Sequence, residues 1–345
     1  MESILCLLHT ESNGALSRPS LEAITAAGAL AADLGDVTLD VGLFGADVQS
    51  AADSIATCGA RRFLGVSGTD FAEARYATDA AAGETLIKAS SATLVVAPHT
   101  SRLARVLGGV SHRLQGRVDT HVTSVSVDKG ALTITRWYYR QRMEATLTRS
   151  RRPWILAIDA GCVTPWEGAQ GQASIETIAV ALDDAVRRSS VVGLQAPPAD
   201  EQTIRPEAEL LFVAGAGWTK KQADGQTHVP EAEKLILEFL KLTQASLGGS
   251  KSLVDISGEG QAVLRFMTHL NQIGQTGATP RHPKGLATCC HGEEPHTVGW
   301  RFINERRAVN RDPGCGWARG KADVLYVADA FEVMEKVNDL LAERI

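Results

Sequence analysis

Four short apolar runs, at residues 4–8, 37–43, 62–66 and 92–97, alternate with alanine-rich stretches at 21–34 and 72–88. This alternation restricts the first half of the chain to an α/β layout. Each run has the length of one strand, and the small residues between them favour helix. From Thr120 the pattern changes: residues 122–127 and 131–139 alternate with a period of two around Asp128-Lys129-Gly130, which predicts a β-hairpin. Residues 144–147 and 154–158 extend the β character. The polar, proline-bearing stretch from Gln195 to Glu201 reads as an interdomain linker. Beyond it, 209–213 predicts a new strand running into the turn Ala214-Gly215-Ala216-Gly217, and 230–247 predicts a helix stopped by a Gly248-Gly249 cap. A last amphipathic helix carries Phe331, Met334, Val337, Leu340 and Leu341 on one face. The expected organisation is an N-terminal α/β domain with an added β-hairpin region over 1–194, a linker over 195–208 and a C-terminal parallel α/β domain over 209–345.

The formal charge of −5 leaves no basic excess to neutralise phosphates, so nucleic acid is not an expected partner. No apolar stretch approaches the roughly 20 residues that cross a bilayer. The opening run Met1 to Leu8 has an acidic second residue and no cleavage pattern, so it is expected to be a first strand rather than a signal peptide. The expected compartment is therefore cytoplasmic, or an organelle matrix. Six cysteines, Cys6, Cys58, Cys162, Cys289, Cys290 and Cys315, are scattered without a paired framework and are expected to be reduced. Cys289-Cys290-His291 with Cys315 matches no zinc or iron–sulfur spacing, and no metal is expected.

Two segments carry chemistry. The turn at 214–217 follows a strand and brings bare backbone amides where a pyrophosphate can approach, but Trp218 and Lys220 leave the Gly-x-Gly-x-x-Gly fingerprint incomplete. A tight structural turn explains it equally well. In Gln272-Ile273-Gly274-Gln275-Thr276-Gly277, two glycines flank an amide and a hydroxyl, so polar side chains and close backbone approach coincide; a solvated loop is the alternative.

The second segment resembles the Gln-Val-Gly-Gln-Thr-Gly loop of the alpha subunits of electron-transfer flavoproteins. Further segments resemble that family in order. His296 and Gly299 are similar to its His-Leu-Ala-Gly, Ala308-Val309-Asn310-Arg311-Asp312-Pro313 to its Ala-Ile-Asn-Lys-Asp-Pro, and Ala322-Asp323 with Val327-Ala328-Asp329-Ala330-Phe331 to its closing motifs. Upstream, Gly249-Ser250-Lys251 with Val254-Asp255, Asn13-Gly14-Ala15-Leu16, Leu21-Glu22-Ala23 and Val95-Val96-Ala97-Pro98 also resemble family segments. The resemblance implies that the C-terminal domain binds FAD. Thr276 would hydrogen-bond the flavin near N5, with Gln275 and Gly277 shaping that edge. Ser250 and Lys251 would lie by the isoalloxazine or phosphates, His296 by the pyrimidine edge, and Asn310 and Asp323 by the adenosine. Gly217, Gln272, Ile273, Gly274, His291 and Gly292 complete the implied cofactor-binding set. In such a carrier the cofactor does the redox chemistry, and protein donors and charges set which oxidation state is favoured.

The departures from the family pattern are specific. Its Ser-Gly-Gly-Arg-Gly becomes Ala214-Gly215-Ala216-Gly217-Trp218, which loses an arginine. A second arginine becomes Lys251, which keeps the charge but not the planar fork. Glu293 and Glu294 put two carboxylates where a pyrophosphate is expected.

Elsewhere, His9, His99, His112 and His121 show no clustered carboxylate or cysteine in the sequence and read as surface or packing residues, and Arg102 and Arg105 as a solvated helix face. Trp137-Tyr138-Tyr139 beside Arg140 and Arg142 reads as an aromatic strand rather than a nucleic-acid surface. The resemblance implies an electron carrier and not an enzyme: a heterodimer with an electron-transfer flavoprotein beta subunit. It would take electrons from a donor dehydrogenase and pass them to a membrane-associated or iron–sulfur oxidoreductase feeding a respiratory chain. The alternatives are a flavin-poor structural paralogue that stabilises its beta-subunit partner and, on the glycine turn, a nucleotide-dependent enzyme. The second of these lacks a general base near the turn.

Overall fold

The computed structural model describes residues 2–128, 130–139, 143–193, 202–255, 263–273, 281–288 and 303–344. The chain divides into two compact units, Met1–Leu194 and Gln195–Ile345.

The first unit runs β1 (Ser3–His9), α1 (Arg18–Leu34), β2 (Thr38–Gly45), α2 (Gln49–Ser54), β3 (Arg62–Ser67), α3 (Tyr76–Ser90), β4 (Leu94–Pro98) and α4 (Ser101–Arg113). It continues through β5 (Arg117–Asp128), β6 (Ala131–Tyr138), β7 (Met143–Leu147), β8 (Trp154–Ile158) and β9 (Ile175–Thr177). Nine strands form one sheet in the order β7-β6-β5-β8-β4-β1-β2-β3-β9. The first four strands are parallel and joined by helices, as the alternation predicts.

Strand β1 shows why. Ile4, Cys6 and Leu8 point to one face, where Ala23, Ile24, Ala27 and Leu30 of α1 cover them. Leu5 and Leu7 point to the other, where they join a core with Leu86 of α3 and Leu103, Val106 and Val110 of α4. A strand buried on both faces reads as a continuous apolar run.

The predicted hairpin is present, with Val127 opposite Leu132 and Asp128 opposite Ala131 across β5 and β6. Residues 154–158 do not simply extend that hairpin. As β8 they lie between β4 and β5, parallel to both, because Trp154, Ile155 and Leu156 are apolar toward both faces and need cover on each.

The expected solvated face at Arg102 and Arg105 is corrected. Arg102 is buried and reaches the fully buried carboxylate of Asp79 on α3, with Nε–Oδ2 of 3.0 Å and Nη2–Oδ1 of 2.8 Å. Arg105 closes on the same carboxylate at 2.7 Å.

The second unit runs β10 (Leu210–Ala214), α5 (Val229–Thr243), β11 (Ser246–Gly249), α6 (Lys251–Asp255), β12 (Lys284–Thr288), β13 (Glu305–Asn310), α7 (Gly316–Lys321), β14 (Val324–Val327) and α8 (Ala330–Ala342). Its five strands are all parallel, in the order β11-β10-β12-β13-β14. Helices α5 and α8 pack through Ile236, Phe239, Leu240, Ala330 and Met334. Of the stretch read as a linker, Thr203 accepts from the Leu247 amide and Arg205 donates to the carbonyl of Ala245.

The sequence expectation for 230–247 is also corrected. The helix stops at Thr243, Gln244 takes the left-handed conformation (φ 54°), and Gly248-Gly249 end a strand instead of capping a helix. The glycines are there for close approach: a Cβ on Gly248 would stand 2.9 Å from Cγ2 of Ile273. Gly248→Ala is therefore expected to cost about 1–3 kcal/mol of stability as an overpacking change. Urea denaturation of the full chain checks this, and a neutral result contradicts the fit.

Candidate functional site

In an open parallel sheet of this strand order, ligands bind outside the carboxyl ends of the strands, where the order reverses. In the second unit that position lies at the ends of β10 and β12. The Gly215 amide donates to the Thr288 carbonyl across the two strands at 2.8 Å. The following residues, Ala216–Thr219, turn in a short 3-10 helix. Trp218 is fully buried; its indole N–H donates to the Thr288 hydroxyl at 2.8 Å, and its ring lies 4.6 Å from that of Phe331.

Beside this turn, a cavity of about 120 Å³ is lined by Gly217, Lys220, Lys221, Gln222, Asn310, Arg311, Asp329 and Phe331, among others. The segments at the ends of β10, β13 and β14 supply it. Asn310 ends β13, and its side-chain oxygen accepts from the Asp312 amide at 3.0 Å, which turns the chain away from the sheet. Asp329 follows β14 and caps α8, accepting from the Phe331 amide at 2.7 Å. Its other oxygen takes the Arg311 guanidinium at 2.6 Å. Gln222 bridges back to the carbonyls of Gly217 at 3.1 Å and Lys220 at 2.8 Å, which ties the turn to the segment carrying both exposed lysines.

Of the residues singled out in the sequence, Gly217 and Asn310 line this cavity. Ser250 is buried at the end of β11, where its amide donates to the Ala214 carbonyl and its hydroxyl accepts from the Leu253 amide. Lys251 opens α6. Gln272 bridges to Gly249, and Ile273 packs against the sheet, so both follow the same strand end. Gly274, Gln275, Thr276, Gly277, His291, Gly292 and His296 lie outside the described residues, as do Cys289 and Cys290.

Asp323 sits elsewhere. It precedes β14, and its carboxylate takes the Arg306 backbone amide at 2.7 Å and the Arg306 guanidinium at 2.8 Å. Those hydrogen bonds hold its pKa below the ordinary carboxylate value. Arg306 is four residues before Asn310 on β13, about 13 Å away along a strand. Asp323 is therefore at the amino end of the sheet, while Asp329 shares the cavity with Asn310. The signal for Asp329 was present in the sequence: an Asp directly after an apolar run and before an amphipathic helix is a helix cap at a strand's carboxyl end. Lys220, Lys221, Gln222 and Arg311 carried no such signal.

The histidines of the first unit need a further correction. His99 and His121 are grouped with Asp159, and their ligand-capable atoms all lie within 4.8 Å of one another. Chain neighbours show none of this, because the three residues come from three different strands: His99 follows β4, Asp159 follows β8 and His121 lies within β5.

Residues 5–184 match the electron transfer flavoprotein domain. The chain belongs to the electron-transfer flavoprotein family. No curated protein matches it. Members of this family carry electrons rather than transform a substrate, and generally bind flavin. The match falls on the nine-stranded unit of this flavoprotein-family chain, whereas the polar cavity belongs to the second unit. Among the described residues, no helix is long and apolar enough to cross a membrane.

Proposed function

We infer that the chain is an alpha-type subunit that holds FAD in its C-terminal unit and passes electrons between protein partners, working as a heterodimer with a beta subunit. The observation that carries this reading is the family match over residues 5–184. The chemistry of the second unit supports the FAD site. Lys220 and Lys221 supply cations suited to phosphates, Asn310 supplies a polar group suited to ribose or base, and Phe331 and Val309 supply an apolar wall, while Arg311 and Asp329 pair with each other at the rim. A cavity of about 120 Å³ suits one end of a dinucleotide and not the whole. The reading therefore gives the isoalloxazine to the segment 272–277, with Thr276 near N5 and Ser250 and Lys251 beside it. When bound, the flavin supplies the one- and two-electron chemistry, and the chain's part is to hold it and set its potential. A donor dehydrogenase and a membrane-associated or iron–sulfur acceptor are the partners this role requires, and a cytoplasmic location suits both.

One observation favours a second reading, a flavin-poor paralogue that serves its partner structurally. Trp218 is buried at the strand-order reversal, directly after the position where the family arginine is replaced by Gly217. The visible spectrum of the chain co-expressed with the product of its neighbouring gene separates the two readings. The carrier retains two flavin bands through purification, and the paralogue has none. In the carrier, Lys221→Ala is expected to weaken FAD retention about ten- to a hundredfold, since a charge-assisted contact contributes roughly 1.5–3 kcal/mol. Unchanged retention, measured by flavin release on dilution, removes the cavity from the site.

A further inference from the structure

In the first unit, three side chains with metal-ligating atoms converge where β4 and β8 end beside the interior of β5. His99 follows β4, and its amide donates to the Ile158 carbonyl at 2.8 Å. Asp159 follows β8, and its amide donates to the Val122 carbonyl at 2.9 Å. His121 lies within β5. Its Nδ1 is 3.2 Å from the Asp159 carboxylate, and Nδ1 of His99 is 3.9 Å from the same oxygen. The two imidazole rings lie 4.1 Å apart, tilted by 51°.

The backbone is bent to make this arrangement. His121 has φ 54°, and between Asp119 and Val122 the pairing of β5 with β8 slips by a residue. The other non-glycine residues with positive φ among those described, Ser91, Gln115, Tyr139 and Gln244, sit at or beyond the ends of their elements. A left-handed conformation is strained for a non-glycine residue, and β-bulges that re-aim a side chain concentrate at functional sites. An ordinary strand residue at this position would alternate to one face of the sheet. The bulge instead turns the imidazole of His121 toward Asp159.

We propose that His99, His121 and Asp159 form a binding site for a divalent transition-metal ion of the zinc class. Two imidazoles and one carboxylate, with no thiolate, are a donor set that such ions accept, and three protein ligands leave a coordination position open. His121 is half exposed while His99 and Asp159 are mostly buried, so the open position faces solvent. An ion with bonds of about 2.1 Å holds its donor atoms about 3.4 Å apart, so closing the set takes side-chain adjustments of roughly an ångström. His99 suits the role electrostatically. Its pKa is lowered by burial first and then by His121 and Arg136, with Asp159 opposing, so its lone pair stays available near neutral pH. Arg136 itself is tied to Asp119 at 3.0 Å.

The test uses the full-length chain, freed of metal by chelation and titrated with Co(II) followed by Zn(II). The expected result is one Co(II) per chain with visible ligand-field bands, discharged by Zn(II). His99→Ala, His121→Asn and Asp159→Asn should each weaken binding by about a hundredfold or more, at least the upper range for outer-shell changes around a metal. His112→Ala, on α4, should bind as the parent does. His121→Asn is the decisive variant, because asparagine accepts the left-handed backbone while losing the imidazole. Its far-UV circular dichroism should match the parent's. The proposal is overturned if the chain binds no Co(II) stoichiometrically, or if His121→Asn binds it as tightly as the parent.

Discussion

Asp79→Ala is expected to destabilise the first unit by about 3–5 kcal/mol, the cost of removing one partner from a buried ion pair and leaving the other without compensation. The Asp79 carboxylate is fully buried between α3 and α4 and takes a two-pronged contact from Arg102 and a third bond from Arg105. Arg102 is also held by the Phe71 carbonyl at 2.6 Å and lies over the Phe44 ring at 5.2 Å. Without the carboxylate, the guanidinium is buried against carbonyls and an aromatic face that cannot neutralise it. Replacing both partners, as in Asp79→Ala with Arg102→Met, should cost less than Asp79→Ala alone, because the charge left behind, on Arg105, is partly exposed and reaches solvent. Urea denaturation of the full chain, followed by circular dichroism, measures both variants. A loss below about 1 kcal/mol for Asp79→Ala would show that the pair contributes no more than a surface bridge does.

The second large effect belongs to Asp119 at the base of the hairpin. It is buried and accepts from Arg136 at 3.0 Å, from Arg149 at 3.1 and 3.0 Å, and from the Trp154 indole at 2.9 Å. These bonds tie β5, β6 and the entry to β8 together. Asp119→Asn is expected to cost about 2–4 kcal/mol near neutral pH, since one charge-accepting oxygen becomes a donor facing donors. Burial pushes the Asp119 pKa up, but the hydrogen bonds from Arg149, Trp154 and Arg136 outweigh it and hold the pKa below the ordinary value. A depressed folded-state pKa means that this stabilisation is present above the unfolded value of about 3.9 and is lost as pH falls through the folded value. The stability gap between parent and Asp119→Asn should therefore be widest near neutral pH and narrow below about pH 4. A gap that stays constant down to pH 2 or so would remove the carboxylate's charge from the explanation.

Much of the architecture was legible in sequence order. Runs such as 4–8 and 92–97 must be covered on both faces, and alanine-rich segments between them supply the cover, so an α/β unit with parallel strands follows from local composition. The hairpin at 128–131 was equally readable, because a period of two on either side of Asp-Lys-Gly is a short-range signal. The loop 272–277 and the segments after it carried the resemblance to electron-transfer flavoproteins, and the family match over 5–184 agrees with it.

Other features depend on which strand ends meet, and sequence order does not state that. Residues 154–158 read as one more β segment, yet their place between β4 and β5 sets Asp159 beside His99 and His121. Asp323 and Asp329 both belong to family-like motifs and are six residues apart. Only the rise of β14 puts the first at the amino end of the sheet, on Arg306, and the second in the cavity with Asn310. Arg102 looked like an exposed helix residue because its partner, Asp79, lies on a different helix. Helix and strand periodicity are set by neighbours along the chain, so the sequence alone determined the class and most elements of the first unit, but not where the helix from Val229 gives way to β11. Burial, ion pairing and ligand clusters are set by pairings across tens of residues, and only the tertiary structure decided those.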